Sequence, residues 1–452
     1  MQKIFSLAFP LIISQLISMA LVLTDIWMMS QISVADLAAG GLGASVYAFV
    51  FLVASSMVGY SANLIAVAFG QSISRPEFGF QQIRNSVKGA VMLAVICTAL
   101  LTISFSYAPN LLSYANQPET VITIAMNYLN ALKWAMLPTL LLLILRGLTS
   151  TFGDVRSVML MSIVTVLINV PISYFLAFTL NYGIAGLGAG TSLSALIVLI
   201  GYGYWVFTHH KYARFAPWKN VEEYSFKLML PLLSMGFPIA LAGILEHGLI
   251  YGGTLMAGMI SITSLAMHQI LLQCLSFTWN INFGFSQAAS ILVSKDFGAE
   301  NYTGIKRISS QSFLLVTAIS FTLVFVFISW PESIATLFQL GEGDSATNSD
   351  LTQVLLSSIW VVALCFVVDA WQLLALNLLR GMKIVLSPTL MTGIGYWIFG
   401  LPAAWLLMQQ YGLAGIWAGI GVGLGVTGIL LLIQLIHTLN QTTFTDQEVE
   451  GL

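Results

Sequence analysis

The sequence predicts an all-α polytopic membrane protein with twelve transmembrane helices, arranged as two parallel six-helix repeats, an N-lobe and a C-lobe, around a central cleft. Three observations predict it. Hydrophobic residues make up 58% of the 452 residues and DEKR only 8%, with a mean hydropathy of +0.90. Soluble domains carry about 25% charged residues, so this chain must be solvated mainly by lipid. Apolar stretches of bilayer-crossing length recur along it, and one sequence offset relates its two halves. Strict alternation in ten-residue blocks, the mark of a membrane β-barrel, is absent.

The spans fall near 5–33, 38–70, 88–108, 122–147, 157–180 and 184–208, then near 228–258, 262–294, 311–339, 352–380, 387–409 and 413–439. Each clears the roughly 20 residues that a crossing helix needs. The first run follows a single Lys3 but is far longer than the apolar region of a signal peptide, so it reads as a span. Lys3, Arg75, Arg84, Lys88, Arg146, Arg156, Lys211, Arg214, Lys219, Lys227, Lys295, Lys306, Arg307, Arg380 and Lys383 fall in alternate breaks, 15 of the 16 basic residues on one side. That side is expected to be cytoplasmic, and it holds both termini because twelve crossings is an even number. Lys133 alone falls inside a span.

Matches recur at an offset of 228: Phe9-Pro10 with Phe237-Pro238, Leu37-Ala38 with Leu265-Ala266, and Gly70 with Gly298. Leu145-Arg146-Gly147 answers Leu379-Arg380-Gly381, and Tyr182 to Gly186 answers Tyr411 to Gly415, the drift being an insertion placed at Gly341 to Asp350. An offset holding six crossings makes equivalent helices parallel. The organisation expected is therefore an N-lobe over 1–208, a cytoplasmic linker over 209–227, a C-lobe over 228–440 and a short cytoplasmic tail over 441–452. Two like bundles that open a cleft alternately to either side favour a transporter over a channel. Gly186 and Gly190, and Gly415, Gly419 and Gly423, form small-xxx-small series suited to close helix packing. The strings GLGAG and GIGVGLG lie inside spans, with no strand before them and no GK[ST] after them, and do not read as nucleotide loops.

The function classes excluded follow from what is missing. A net charge of −2 gives no basic excess for nucleic acid. HExxH and GxSxG are absent, which argues against an intramembrane enzyme, and no metal or organic cofactor is expected. Cys97, Cys274 and Cys365 lie singly in apolar runs and read as packing residues.

Intramembrane acids are functional candidates by default, because a charge in the bilayer core costs about 2.5 to 3.5 kcal/mol on insertion scales. Three stand out: Asp25, Glu246 and Asp369. Asp25 has no basic residue within a helical turn, so hydrocarbon penalises its charged form and it reads as a proton-accepting group, or else as a structural carboxylate bonded to neighbouring helices or to Lys133. Pro10, fifteen residues earlier, is expected to kink the same helix and act as a hinge. The fifth span carries a polar stripe of Ser162, Thr165, Asn169 and Ser173; the fourth carries Thr123, Asn127, Asn130 and Trp134, with Tyr128 beside them, and Thr191 of the sixth could join. In the second half, Glu246 precedes His247, Asp369 precedes Gln372 by one turn, and Gln269, Gln273, Ser276 and Asn280 share a face. Such oxygens could hold Na⁺ or relay protons. Met19, Met28 and Met29, with Asn127 and Asn130, are the expected lining of an adaptable substrate cavity.

Pro10 with Asp25 in TDIWMMS, the following VADLAAGGLGAS, RGLTSTFGDVRS after the fourth span and LLRGMKIVLSP after the tenth, in this order and within a six-plus-six repeat, resemble the multidrug and toxic compound extrusion (MATE) family over essentially the whole chain. The resemblance implies a bacterial inner-membrane antiporter that exports organic cations on inward H⁺ or Na⁺, working in the lipid bilayer and taken as a monomer. By motif position, Asp25, Tyr128, Asn169, Ser173 and Thr191 fall where proton-coupled members keep an N-lobe cluster, with Ser173 where a second acid often stands. Glu246 and Asp369 fall where the NorM-like branch keeps C-lobe cation-site acids, although Cys365, one turn earlier, is not the oxygen ligand some relatives have. Protons are therefore the expected coupling ion, as in the DinF-like branch. Related folds also move lipid-linked oligosaccharides, which would want a basic cleft where this chain offers only Lys133.

Overall fold

The protein is described by a computed structural model that covers the backbone of residues 1–114, 117–329 and 345–450, and the side chains of all of these except 345–357 and 442–450. It is helical throughout, with no strand among the described residues. The first half comprises α1 (Gln2–Ile32), α2 (Val34–Gly59), α3 (Ser61–Ser74), α4 (Pro76–Ser104), α5 (Ala108–Tyr114), α6 (Glu119–Leu132), α7 (Met136–Thr151), α8 (Val155–Tyr174) and α9 (Gly183–Thr208). The second comprises α10 (Leu230–Ile260), α11 (Ile262–Gly298), α12 (Tyr302–Ser329), α13 (Ser345–Gly381), α14 (Leu386–Gly393) and α15 (Leu401–Glu450).

Ten stretches among the described residues are long and apolar enough to cross a membrane by hydropathy and length alone. The difference from twelve has two physical reasons. The 37-residue α11 is studded with Ser, Asn and Gln, which lower its hydropathy, and the Leu386–Gln441 stretch holds two spans joined at Gly412, whose φ of 56° turns the chain out of the helix. The end of the expected 311–339 span and the start of the 341–350 insertion lie outside the described residues. The 441–452 tail continues the backbone helix of α15 as far as Glu450.

The repeat is visible in local structure. Ser33 Oγ accepts the Asp36 amide at 3.0 Å to start α2, and Ser261 Oγ accepts the Ser264 amide at 3.0 Å to start α11, 228 residues later. Such caps contribute about 1 kcal/mol each. The fifth span of each half ends in or contains a π-helical stretch, Phe175–Thr179 and Ile394–Gly400, the wide turn that often marks functional segments.

Two compact units emerge, Ile13–Ala240 and Met1–Ile12 with Leu241–Leu452. They depart from the 1–208 and 228–440 division at the first turns of each half. Those turns pack within the unit otherwise built from the opposite half. Gly284 of α11 sits against the Ile12 backbone, and the amino terminus donates to Gln311 Oε1 at 2.7 Å. Gly236 of α10 sits against Met57. Both changeovers fall two residues after a proline, Pro10 and Pro238, each inside a helix that runs on unbroken. In the Ile13–Ala240 unit, α9 packs at backbone distance against the π-helical stretch through Gly186 and against α8 through Gly190; a Cβ on Gly190 would lie 2.3 Å from Ser173 Oγ and 2.6 Å from Ser173 Cα.

The 209–227 linker is no solvated tether. Phe215 and Tyr212 are fully buried in the core of the Ile13–Ala240 unit, and Arg214 stacks on Phe80 at 3.9 Å. Two ionic clusters hold it. Lys88, itself 1% exposed, donates to Glu223 Oε2 and to the Asn220 carbonyl, both at 2.7 Å, while Arg84 reaches Glu223 Oε1 at 3.2 Å. Asp154 accepts hydrogen bonds from Lys211 Nζ at 2.9 Å and from the Tyr212 hydroxyl. Burial works against the Asp154 charge, but the Tyr212 and Lys211 hydrogen bonds outweigh it and hold the carboxyl below its ordinary range. At Glu223 the Lys88 hydrogen bond, aided by Arg84, does the same against a smaller effect of burial.

A depressed carboxyl contributes attachment that is complete above its ordinary value, 4.5 for Glu223, and is lost as pH falls through the depressed one. Glu223→Gln should therefore speed proteolytic cleavage within 209–227 at neutral pH. The wild-type protein should approach that rate only when acidified well below pH 4.5. Equal cleavage rates for the two at neutral pH would show that the ion pair does not fasten the linker.

Candidate functional site

Asp25 lies seven residues before the end of α1, partly buried, with Oδ1 closed off from solvent and without a hydrogen-bond partner. An acceptor in that state is expensive to keep charged, which is the condition for a carboxyl that changes protonation. Its charge acts on the Tyr128 hydroxyl of α6, a residue 3% exposed, and Tyr47 of α2 also acts on Tyr128. Met28 and Met29, next along α1, pack into the same cluster as Tyr128, Leu132, Ile184 and Leu187. They are buried at 1% exposure each, whereas Met19 is half-buried. Lys133 does not pair with Asp25. It opens a 3₁₀ turn, Lys133–Ala135, between α6 and α7, and donates to Asn130 Oδ1 at 3.0 Å.

The polar residues of α8 and α9 do meet. Asn169 Nδ2 donates to Thr191 Oγ1 at 3.2 Å and to Ser194 Oγ at 3.1 Å, and Ser173 Oγ donates to Asn169 Oδ1 at 3.5 Å. Ser162, at the other end of the stripe, bonds Ser14 of α1 at 2.5 Å, so the stripe also ties α1 to α8. The structure thus joins Asn169, Ser173 and Thr191 in one hydrogen-bonded network and leaves Asp25 and Tyr128 outside it, within electrostatic reach of each other. Asn127 and Asn130 lie on the exposed face of α6, opposite Tyr128. Pro10 is buried, and α1 continues through it without a break.

In the unit holding Leu241–Leu452, Glu246 is partly buried on α10, accepts a hydrogen bond from Trp279 of α11 and lies within electrostatic reach of Arg380, His247 and Asp369. Asp369 and Gln372 are buried on α13, at 2% and 0% exposure. Gln372 Oε1 accepts the Tyr396 hydroxyl from the π-helical stretch, while Asp369 Oδ2 and Gln372 Nε2 have no partner. Gln273 is not among them: it lies with Gln269 and Ser276 on the exposed face of α11. The face that meets α13 carries Asn282, Ser286, Ser290 and Ser294 instead. Ser290 Oγ donates to the Asn377 carbonyl at 2.7 Å and Ser294 Oγ to the Gly381 carbonyl at 3.1 Å, a parallel register of 87. Two turns further along, that register sets Asn282, buried with neither side-chain atom partnered, level with Asp369.

Tyr396, Asn282 and Ser194 were the residues that sequence reasoning passed over. The Asn282–Ser286–Ser290–Ser294 spacing of four was a readable signal, but it competes with the equally regular Gln269–Gln273–Ser276–Asn280 set, and only packing against α13 decides between them. Tyr396 carries no sequence signal beyond its place in a Gly-flanked run.

The chain is similar in sequence to "Probable multidrug resistance protein NorM" of Pseudomonas putida, 29% identical with 95% of this chain and 93% of that protein covered. It is 28% identical to the protein of the same name from Mesorhizobium japonicum, over 94% and 91% of the two chains. In fold it matches a solved structure described as the outward-facing conformation of a multidrug resistance MATE family transporter of the MOP superfamily, with a TM-score of 0.87 over 98% of this chain and 96% of that one at 17% identity. The MatE family model matches twice, at residues 10–175 and 238–406, starting points again 228 apart, and with most of its length so matched the chain belongs to the MatE family of membrane transporters.

Proposed function

We propose that this transporter is a multidrug efflux antiporter of a bacterial inner membrane, with cytoplasmic termini, that exports lipophilic organic cations in exchange for inward H⁺ through Asp25. The observation that carries the reading is the Asp25 carboxyl, set in a membrane span with an unpartnered oxygen and no counter-cation among the described residues. The relatives are named for multidrug resistance, which supports efflux of drugs. Deprotonated Asp25 attracts a cationic drug. Protonation from the outer side removes that attraction, and α1 rearranges about Pro10 to expel the cargo. One site serving proton and drug in turn gives antiport.

The energetics bound the stoichiometry. Exchange of one proton for one monovalent cation moves no net charge, so the membrane potential, about 2.3 kcal/mol per charge per 100 mV, does not contribute. One pH unit, about 1.36 kcal/mol, then supports about tenfold accumulation. Steeper gradients need a second ion, and the orphaned oxygens around Asp369 favour a second reading in which the other half binds it, as H⁺ or as Na⁺ held by carboxylate and amide oxygens.

The test is drug-induced proton release. Adding tetraphenylphosphonium to the purified protein in weak buffer should acidify the solution, equally in sodium and choline salts, and should not do so with Asp25→Asn. Absence of release from the wild-type protein, or a strict need for Na⁺, would overturn proton coupling.

A further inference from the structure

We propose that His268 is a second proton-accepting site, the counterpart of Asp25 in the second half of the chain, carried on the second helix of its repeat rather than the first. The repeat leads to it. Ser33 and Ser261 cap α2 and α11 and fix the local offset at 228. Eight residues before each cap, about 12 Å along the preceding helix, stand Asp25 of α1 and Gly253 of α10. Seven residues after each cap stand Gly40 of α2 and His268 of α11. The first half therefore sets an acid on one member of the hairpin and glycine on the other, and the second half sets glycine on the one and an imidazole on the other. In the unit that holds Leu241–Leu452 these two positions touch. A Cβ on Gly253 would lie 3.4 Å from His268 Cε1, with Ile420 at 3.1 Å and Ile416 at 3.4 Å, and those two are the mates of Thr191 and Leu187 at the 229 offset.

Hydrogen bonding leaves the ring able to take a proton. His268 is wholly buried, and its Nε2 lies 3.2 Å from Thr254 Oγ1. The Thr254 hydroxyl already donates to the Ile250 carbonyl at 3.1 Å, so it accepts from His268, and this network assigns the neutral ring its proton on Nε2. The basic lone pair is then on Nδ1, closed off from solvent and without a partner. A purely structural buried histidine would ordinarily have both nitrogens bonded. Trp417, whose ring centre lies 5.4 Å away, likewise leaves its indole N–H buried and unpartnered.

No neighbouring element supplies a counter-charge. α10 carries none nearer in sequence than Glu246 and His247, α12 none beyond Arg307, and α15 only Tyr411 and His437. α13 brings the Cys365 thiol, directed at the Trp417 carbonyl at 3.5 Å, and the π-helical stretch brings Tyr396, whose hydroxyl donates to Gln372. An imidazolium in this apolar setting is unfavourable, so gaining the proton opens the α10–α11 seam and closing the seam returns it. Such a link between protonation and conformation is what coupling requires. The proton binds the Nδ1 lone pair from the outer side and leaves the same nitrogen toward the inner side, and no other bond changes. The inference rests on the H⁺ reading above and names His268, in place of Asp369, as the holder of its second proton.

Two measurements test it. Wild-type protein in proteoliposomes should hold an ethidium gradient of about a hundredfold per pH unit and respond about fiftyfold to 100 mV, since two protons for one monovalent cation move one net charge. His268→Gln keeps an amide N–H for Thr254 but cannot gain a proton, and should fall to about tenfold per pH unit and ignore the potential. Wild-type exchange indifferent to the potential, or a variant that keeps the wild-type gradient, would overturn the site; if Asp369→Asn falls to tenfold in its place, the second proton belongs to Asp369. The other measurement needs no change at the site: ¹⁵N spectra, in nanodiscs, of the full chain with His209, His210, His247 and His437 replaced by glutamine. The remaining imidazole should take up a proton on Nδ1 as pH falls, and tetraphenylphosphonium should lower the midpoint by about one to two pH units, the size of a typical coupling between competing ligands. A ring that stays neutral, or a midpoint that cargo does not move, marks a structural histidine and overturns the proposal. Asp25→Asn separates the two readings. Transport that survives it removes Asp25 from coupling and leaves His268 standing, whereas a cargo-insensitive His268 leaves the Asp25 reading intact.

Discussion

Asp25→Asn is expected to abolish pH-driven efflux of cationic dye from proteoliposomes, a fall of at least about a hundredfold, with no loss of thermal stability. Asn keeps the shape of the side chain but cannot exchange a proton or carry charge, so both halves of the proposed cycle, cation attraction and release on protonation, disappear together. The fold should not suffer. Asp25 Oδ1 has no hydrogen bond to lose, and removing a poorly solvated charge relieves a desolvation cost. An apparent Tm at or above wild type with no transport is thus the specific signature. Efflux near the wild-type rate would remove Asp25 from the coupling mechanism. A large drop in Tm would instead mark it as a structural carboxylate.

Gly190→Val should have the opposite signature, in which stability and transport fall together. Its Cβ would meet Ser173 Oγ at 2.3 Å and Ser173 Cα at 2.6 Å, and backbone cannot swing aside as a long side chain can. Overpacking of this kind costs about 1 to 3 kcal/mol. The same displacement pulls Ser173 and Asn169 away from Thr191, opening the hydrogen-bonded network between α8 and α9. Gly201→Val on the same helix has nothing within 4 Å of the added carbon and should cost little. Thermal melts of the two variants decide the matter: matched melting temperatures would mean that the α8–α9 contact is more compliant than its geometry indicates.

Much of the fold was legible in the sequence because hydrophobicity is what a bilayer selects. Spans and repeat follow from composition and from residues such as Phe9-Pro10 and Phe237-Pro238 recurring at one offset. The cluster of Asn169, Ser173 and Thr191 was legible for a related reason, since residues three and four apart share a helix face whatever surrounds it. What periodicity does not reveal is which of two regular faces turns inward. On α11 that ambiguity hid Asn282 behind Gln273, and on α6 it left Tyr128 and Asn127, one residue apart, in opposite environments. Nor does composition distinguish a free linker from a fastened one. Glu223 and Asp154 read as ordinary surface charges until their partners Lys88, Lys211 and Tyr212 are in place.

The first twelve residues of the chain complete the unit formed by Leu241–Leu452, and the turns before 240 complete the other, so the two halves trade arms as domain-swapped subunits do. The two halves expressed as separate polypeptides should therefore need each other to fold, each supplying the arm that the other unit's core requires. Neither half alone can be a finished monomer, because its own arm has nowhere to dock and its arm's seat stands empty.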